Sequence, residues 1–449
     1  MRGLRSTIAL VVVLGGLGAY IYFVTWKKTP EAQGSKQEKV FAGLEADKVQ
    51  ELKVTSDKGE VTSLKKENGA WQLTSPVMSK ADESEASAIT NALGQLEIVR
   101  VIDENPTDLK EYGLATPKVE VDFKAANDKD VRRVQLGDKS PTGSDVFAKR
   151  NDDKKVFLVA SFQETTFNKS TFDLRDKIVM KIEREKVDGI EVNAGGKKIE
   201  LAKDQADWKI TQPVQVKADF GAVEGLVGRI QTTAMKSLVT DNASPADLKK
   251  YGLDKPATTI DLKMGSARAT FALGGKADDN NIYARDMSKP AVVTVDKSIE
   301  DELKKGADDY RRKDIFEFRS YNANRVEFTR GGQTVVFEKV KGEGKDAMDK
   351  WRRASPNPAD ADKDKLETML SRLSNMRATG FVDAKAKTGM EMPALTVLAK
   401  FDDNKKEERV SFGKVDNDVF VSRPGEAGAA KVDASEFNEV TKTLDEVSK

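Results

Sequence analysis

Three tryptophans are the residues best suited to recognition. Trp71-Gln72-Leu73-Thr74-Ser75-Pro76, Trp208-Lys209-Ile210-Thr211-Gln212-Pro213 and Trp351-Arg352-Arg353-Ala354-Ser355-Pro356 repeat one pattern. Pro76, Pro213 and Pro356 stand five residues after their tryptophan, and Asp82, Asp219 and Asp362, each preceded by Ala, stand eleven after it. An exposed indole repeated in this way is a stacking platform for a sugar or a peptide, whereas a buried one is a large block of apolar area. The fixed spacing to a proline and an aspartate favours burial, with a strand packed on a helix. Tyr112 and Tyr251, each followed by glycine (Gly113, Gly252), offer phenols that read in the same way, as packing at a helix end.

Other candidate chemistry is weaker. Gly-Gly-Lys at 195–197 and 274–276 lacks the GxxxxGK[ST] pattern of a phosphate loop and reads as hairpin turns. Asp278-Asp279-Asn280-Asn281 lacks the twelve-residue pattern of a calcium loop. Arg311-Arg312-Lys313 reads as a solvated run or an interdomain salt-bridge partner. With no Cys and no His, the chain has no disulfide, no thiolate nucleophile and neither of the commonest zinc ligands. An enzyme built from it would run on carboxylates, Lys, Tyr or Ser–Lys pairs. The 75 basic and 74 acidic residues nearly cancel, which gives no electrostatic case for nucleic acid. The expectation is a non-catalytic protein with no cofactor and no metal.

The elements that position these residues repeat as well. Val49, Leu52 and Val54 face Val61 and Leu64 across Asp57-Lys58-Gly59. Ile190 and Val192 face Ile199 and Leu201, and Val326 and Phe328 face Val335 and Phe337. Period-two apolar residues around Gly turns predict hairpins. The Trp strand follows and ends at its proline. Asp82, Asp219 and Asp362 are placed to cap helices whose apolar residues keep one face, such as Leu366, Met369, Leu370, Leu373 and Met376. Asn105-Pro106 and Ser244-Pro245 then open short helices closed by Gly113 and Gly252; the third copy keeps Gly389 and loses the tyrosine. Strands follow, with Leu136-Gly137, Leu273-Gly274 and Phe412-Gly413 read as turns, and a C-terminal helix closes each unit. The period far exceeds the roughly 20–50 residues of solenoid repeats, so each unit can hold its own core.

The N-terminus is of another kind. The uncharged run Thr7–Trp26 spans about 30 Å as a helix, enough for a bilayer core. Arg2 and Arg5 precede it, and Lys27 and Lys28 follow it. The alternative is a signal peptide cleaved at Gly16-Leu17-Gly18, but that would leave the apolar Ala19–Trp26 as a new N-terminus.

As a set, the shared motifs W-x-[LI]-T-x-P, A-D, Y-G-L-x-x-P and L-G resemble a bacterial envelope family known by domain of unknown function 4340. The resemblance spans residues 41 to 449 and is weaker in the third copy. It implies a membrane segment ahead of tandem domains and an association with ABC-type transport or gliding-type envelope systems. The family has no catalytic residues to carry over.

The expected fold class is α+β: one N-terminal transmembrane helix, then three tandem homologous domains, each an antiparallel sheet with packed helices. The expected divisions are 1–28 (anchor), 29–40 (linker), 41–178, 179–315 and 316–449. The expected setting is the bacterial inner membrane, crossed once by residues 7–26, with the bulk of the chain periplasmic and bound to protein partners. The alternatives are a carboxylate-based envelope hydrolase and a cell-wall or polysaccharide binder.

Overall fold

The computed structural model describes residues 38–151, 153–342 and 349–449. The anchor at 7–26 and nearly all of the linker lie outside them, as does most of the loop at 340–350. Among the described residues no helix is long and apolar enough to cross a membrane. The chain divides into two compact units, Met1–Lys177 and Ile178–Lys449.

The first unit holds one sheet, built from β1 (Val49–Thr55), β2 (Val61–Glu67), β3 (Ala70–Ser75), β4 (Ser79–Lys80), β5 (Arg100–Asp103), β6 (Val119–Ala125), β7 (Arg132–Lys139), β8 (Asp145–Arg150) and β9 (Val156–Ala160). Its order is β4-β3-β2-β1-β6-β7-β8-β9-β5, with antiparallel neighbours throughout. Leu52 pairs with Leu64 and with Phe123, so one face is apolar across three strands. The helix Glu83–Gln95 covers that face with Ala86, Ile89 and Leu93. Full burial of each large aliphatic side chain there is worth about 1.5–3 kcal/mol.

The topology fixes what each connection must do. β4 and β5 lie at opposite edges of the sheet, so the helix between them crosses one face from edge to edge. The chain then returns from β5 to the centre, where β6 pairs with β1.

The second unit holds two further sheets of the same order. One contains β10 (Gly189–Ala194), β11 (Lys197–Asp204), β12 (Asp207–Gln212), β13 (Val216–Lys217), β14 (Met235–Thr240), β15 (Thr258–Met264), β16 (Ala267–Lys276), β17 (Asn281–Asp286) and β18 (Val292–Asp296). The other contains β19 (Ala323–Arg330), β20 (Gln333–Val340), β21 (Lys350–Ser355), β22 (Ala359–Asp360), β23 (Gly380–Val382), β24 (Leu395–Phe401), β25 (Lys406–Val415), β26 (Asp418–Ser422) and β27 (Ala429–Val432). Helices Phe220–Gln231 and Lys363–Ser374 occupy the place of Glu83–Gln95. In the second repeat the returning connection makes a separate small core of Leu253, Ala272 and Val292 with Leu248, Tyr251 and Tyr283. Ala272 alternates with Phe271 and Leu273 along β16, so this core lies on the other face of the sheet. The described residues thus form three homologous antiparallel sheets of nine strands, and the chain is mostly β.

Two local expectations need correction. Leu136-Gly137, Leu273-Gly274 and Phe412-Gly413 are not turns; they lie inside β7, β16 and β25. In the first repeat Pro106 does not open a helix: Asp108 caps a single 3-10 turn, Leu109–Tyr112. The second repeat follows the expectation, with Ser244 as cap and Pro245 in the first turn.

Candidate functional site

Trp71, Trp208 and Trp351 lie in β3, β12 and β21, 3%, 1% and 1% exposed. Each stands directly across the ladder from a lysine: Lys66, Lys203 and Lys339. The three ammonium groups lie 5.9, 5.6 and 5.2 Å from the ring centroids, within cation–π range. The Trp208 Nε1–H donates to Glu224 Oε1 at 3.0 Å, and the Trp351 Nε1–H to Glu367 Oε1 at 3.2 Å. In the first repeat Glu83 instead accepts from the Trp71 backbone N–H at 2.6 Å. Burial pushes the Glu224 carboxyl up, but hydrogen bonds from Trp208 and Arg184 outweigh it and hold the group below its ordinary value. Each ring is enclosed, with no face left for a sugar or peptide to stack on.

The aspartates are spent on helix capping. Asp82 accepts from the N–H groups of Ser84 and Glu85, Asp219 from Ala222 and Asp362 from Lys365. Such caps are typically worth about 1 kcal/mol. Pro76, Pro213 and Pro356 follow cis peptide bonds where the chain turns back into β4, β13 and β22.

The Tyr-Gly and Leu-Gly motifs meet each other. Gly113, Gly252 and Gly389 have φ of 68°, 69° and 71°, the left-handed region that closes a helical turn. Against each turn lies the mid-strand glycine of β7, β16 or β25. A Cβ on Gly137, Gly274 or Gly413 would fall 2.1, 2.2 or 2.1 Å from the carbonyl oxygen of Tyr112, Tyr251 or Thr388. The half-buried Tyr112 ring packs on Phe147 at 5.1 Å and Tyr251 on Tyr283 at 4.5 Å. The third copy has Thr388 in this position and makes the same backbone approach without the ring.

The charge run at 311–313 belongs to a denser ionic cluster than the sequence suggests. Arg311 stacks on Phe381 at 4.0 Å from its centroid, and Arg312 pairs with Glu317 at 2.7 Å. Burial raises the Glu317 carboxyl, but hydrogen bonds from Lys217 and Arg312, with their charges, pull it down to about 2. Glu408 accepts from the backbone N–H groups of Glu317 (2.9 Å) and Phe318 (2.7 Å), and burial leaves its carboxyl above the ordinary value. The Arg423 side chain donates to the carbonyls of Asp314 (2.6 Å) and Ile315 (3.1 Å). Glu408 and Arg423 carry no motif, and their partners lie some ninety or more residues away in sequence. These bonds clamp the segment between the second and third repeats.

Gly195-Gly196 forms a hairpin turn, as expected, whereas Gly274-Gly275-Lys276 is part of β16. The Asp278 carboxylate accepts from the N–H of Asn280 and of Asn281 and from the Asn281 side-chain amide. Among the described residues no cluster of three or more Asp or Glu is arranged to hold a metal ion. One open, polar groove of about 550 Å³ runs along Asp364, Glu367, Ser371 and Asn375.

No curated protein and no solved structure shows significant similarity to the chain. The family model described as Domain of unknown function (DUF4340) matches residues 71–209, 208–389 and 351–449. Those three matches begin at or carry Trp71, Trp208 and Trp351, and together they span most of the chain, which belongs to the DUF4340 family as tandem copies of its domain.

Proposed function

We propose that the protein is a membrane-anchored, non-catalytic accessory or assembly protein of the bacterial envelope. Residues 7–26 act as the single inner-membrane span, and the three domains stand in the periplasm. The observation that carries this reading is where the shared residues go: tryptophans into cores, aspartates onto helix ends, glycines into close backbone contacts. The motif residues that the repeats have in common are scaffold. Three scaffolds with different surfaces on one tether suit simultaneous contact with several parts of a machine. The uncharged stretch Thr7–Trp26 between Arg5 and Lys27 supports the anchor. The resemblance described above points to an ABC-type transport or gliding-type system as the machine.

Crosslinking and affinity purification of the full-length protein from native membranes, read by mass spectrometry, tests this. The expected result is a carbonate-resistant membrane protein recovered with transporter subunits in near-stoichiometric amount. Recovery alone, or with cell-wall polysaccharide only, would remove the transporter association and move the reading to a wall binder or an envelope hydrolase.

A further inference from the structure

The Ala-Asp motif has a neighbour in two repeats and, among the described residues, none in the third. In the first, the Asp82 N–H donates to the Leu174 carbonyl at 2.9 Å and the Asp176 N–H to the Lys80 carbonyl at 2.9 Å. In the second, the Asp219 N–H donates to Tyr310 O at 2.7 Å and the Arg312 N–H to Lys217 O at 3.1 Å. Ala81 pairs with Arg175 and Ala218 with Arg311 as bridges. Each edge beyond β4 or β13 is thus closed by an extended segment with a large apolar residue followed by arginine: Leu174-Arg175-Asp176-Lys177 and Tyr310-Arg311-Arg312-Lys313. The apolar residues are buried, and so are Ala81 and Ala218 beneath the segment.

A break between two short helices delivers each segment. Phe162–Phe167 and Thr171–Leu174 are separated in the first repeat, and Ser298–Leu303 and Ala307–Tyr310 in the second. The third repeat has instead one continuous helix, Ala434–Val447. It runs past the edge, held by Arg330 to Asp445 (2.9 Å) and by Arg353 to the Ser448 carbonyl. Among the described residues nothing pairs with the outer side of the edge at Asp360–Asp362, away from β21. Ala361 is only half-buried, and Asp362 is exposed.

The open edge places its charges differently. Asp360, Asp362 and Asp364 are exposed along it beside Lys363 and Lys365, the latter 4.0 Å from Asp362, where the closed edges carry Lys80, Asp82, Glu83, Ser84, Glu85 and Lys217, Asp219, Gly221. In the first repeat Lys177 of the closing segment reaches Asp82 at 3.5 Å, so an open edge with free backbone groups and the equivalent Asp362 favours an extended strand with a basic residue.

We propose that the edge at Asp360–Asp362 of the third repeat binds an extended segment of a partner protein in which a large apolar residue is followed by arginine and a further basic residue. The segment adds as a strand, as Leu174–Lys177 and Tyr310–Lys313 do within the chain. Its carbonyl accepts from the Asp362 N–H, and its basic side chains meet Asp360 and Asp364. The inference rests on the partner-binding reading above. Its test uses purified chain and peptide, so its failure leaves the co-purification result standing.

The probe is a fluorescent peptide holding residues 310–313, Tyr-Arg-Arg-Lys, between glycines, titrated with the full-length protein by anisotropy. Saturable binding is expected, weakened about tenfold by Asp360→Lys, because a like charge then faces the peptide's arginines. A peptide carrying Tyr310→Ala and Arg311→Glu should bind as weakly. Asp364→Lys serves as a second variant should Asp360→Lys unfold; both are checked by circular dichroism. Absence of binding, or equal affinity for the variant chains, overturns the proposal.

Discussion

Replacing Trp208 by alanine will destabilise the second domain by about 3–5 kcal/mol, the range for deleting a fully buried aromatic side chain. The ring is 1% exposed and sits between β12 and the helix Phe220–Gln231. Three losses contribute, and their sizes rank them. The Lys203 cation–π contact is worth about 0.5–1 kcal/mol. The indole bond to the Glu224 carboxylate is worth about 1.5–3 kcal/mol. Removing the ring also opens a cavity that the flanking sheet and helix cannot fully close, and this term sets the total. Trp208→Phe keeps most of the apolar contact and should cost markedly less. Urea denaturation of the full chain, followed by far-ultraviolet circular dichroism, reads both variants. A Trp208→Ala midpoint matching the parent would show that the ring is not part of the core.

Gly274→Ala and Gly413→Ala should each destabilise by roughly 3 kcal/mol, at the upper end of what overpacking costs. Neither glycine has a positive φ, so the penalty is purely one of contact. The new methyl would stand 2.2 or 2.1 Å from a carbonyl oxygen belonging to the turn closed by Gly252 or Gly389. Backbone lies on both sides of the contact, so relief requires moving the turn off the sheet. In the second repeat that movement would also break the Gly275 N–H bond to Tyr251 O, 2.7 Å. Gly225 is the control: it lies in the helix Phe220–Gln231 with nothing within 4 Å of its would-be Cβ. Gly225→Ala should stabilise by up to about 1 kcal/mol through helix propensity. Equal melting temperatures for Gly274→Ala and Gly225→Ala would refute the close-approach argument.

The two glycine classes show where the sequence could and could not be read. Hairpins were legible because alternation and turn residues are local: Ile190 pairs with Leu201 and Val326 with Phe337, as their patterns require. The caps were legible for the same reason, since an Asp before an apolar helical face has one common use. Leu136-Gly137 was misread because a glycine in an apolar run is ordinarily a turn signal, while its real constraint is a turn more than twenty residues earlier. The two-residue strands β4, β13 and β22 are too short to show a period. The edge strands β5, β14 and β23 exist by pairing with β9, β18 and β27, contacts that no local pattern encodes. The clamp by Glu408 and Arg423 was hidden in the same way, because the distant partners of each are backbone groups that no motif marks.

The central claim is that the motif tryptophans build the fold and do not meet a ligand. Fluorescence quenching of the Trp26→Phe protein tests it most directly, because only Trp71, Trp208 and Trp351 then remain. The account predicts blue-shifted emission, little quenching by acrylamide or iodide until the chain is unfolded, and no change on adding cell-wall polysaccharide. Quenching of the native protein at the rate of free indole, or an emission shift on adding the polysaccharide, would contradict it.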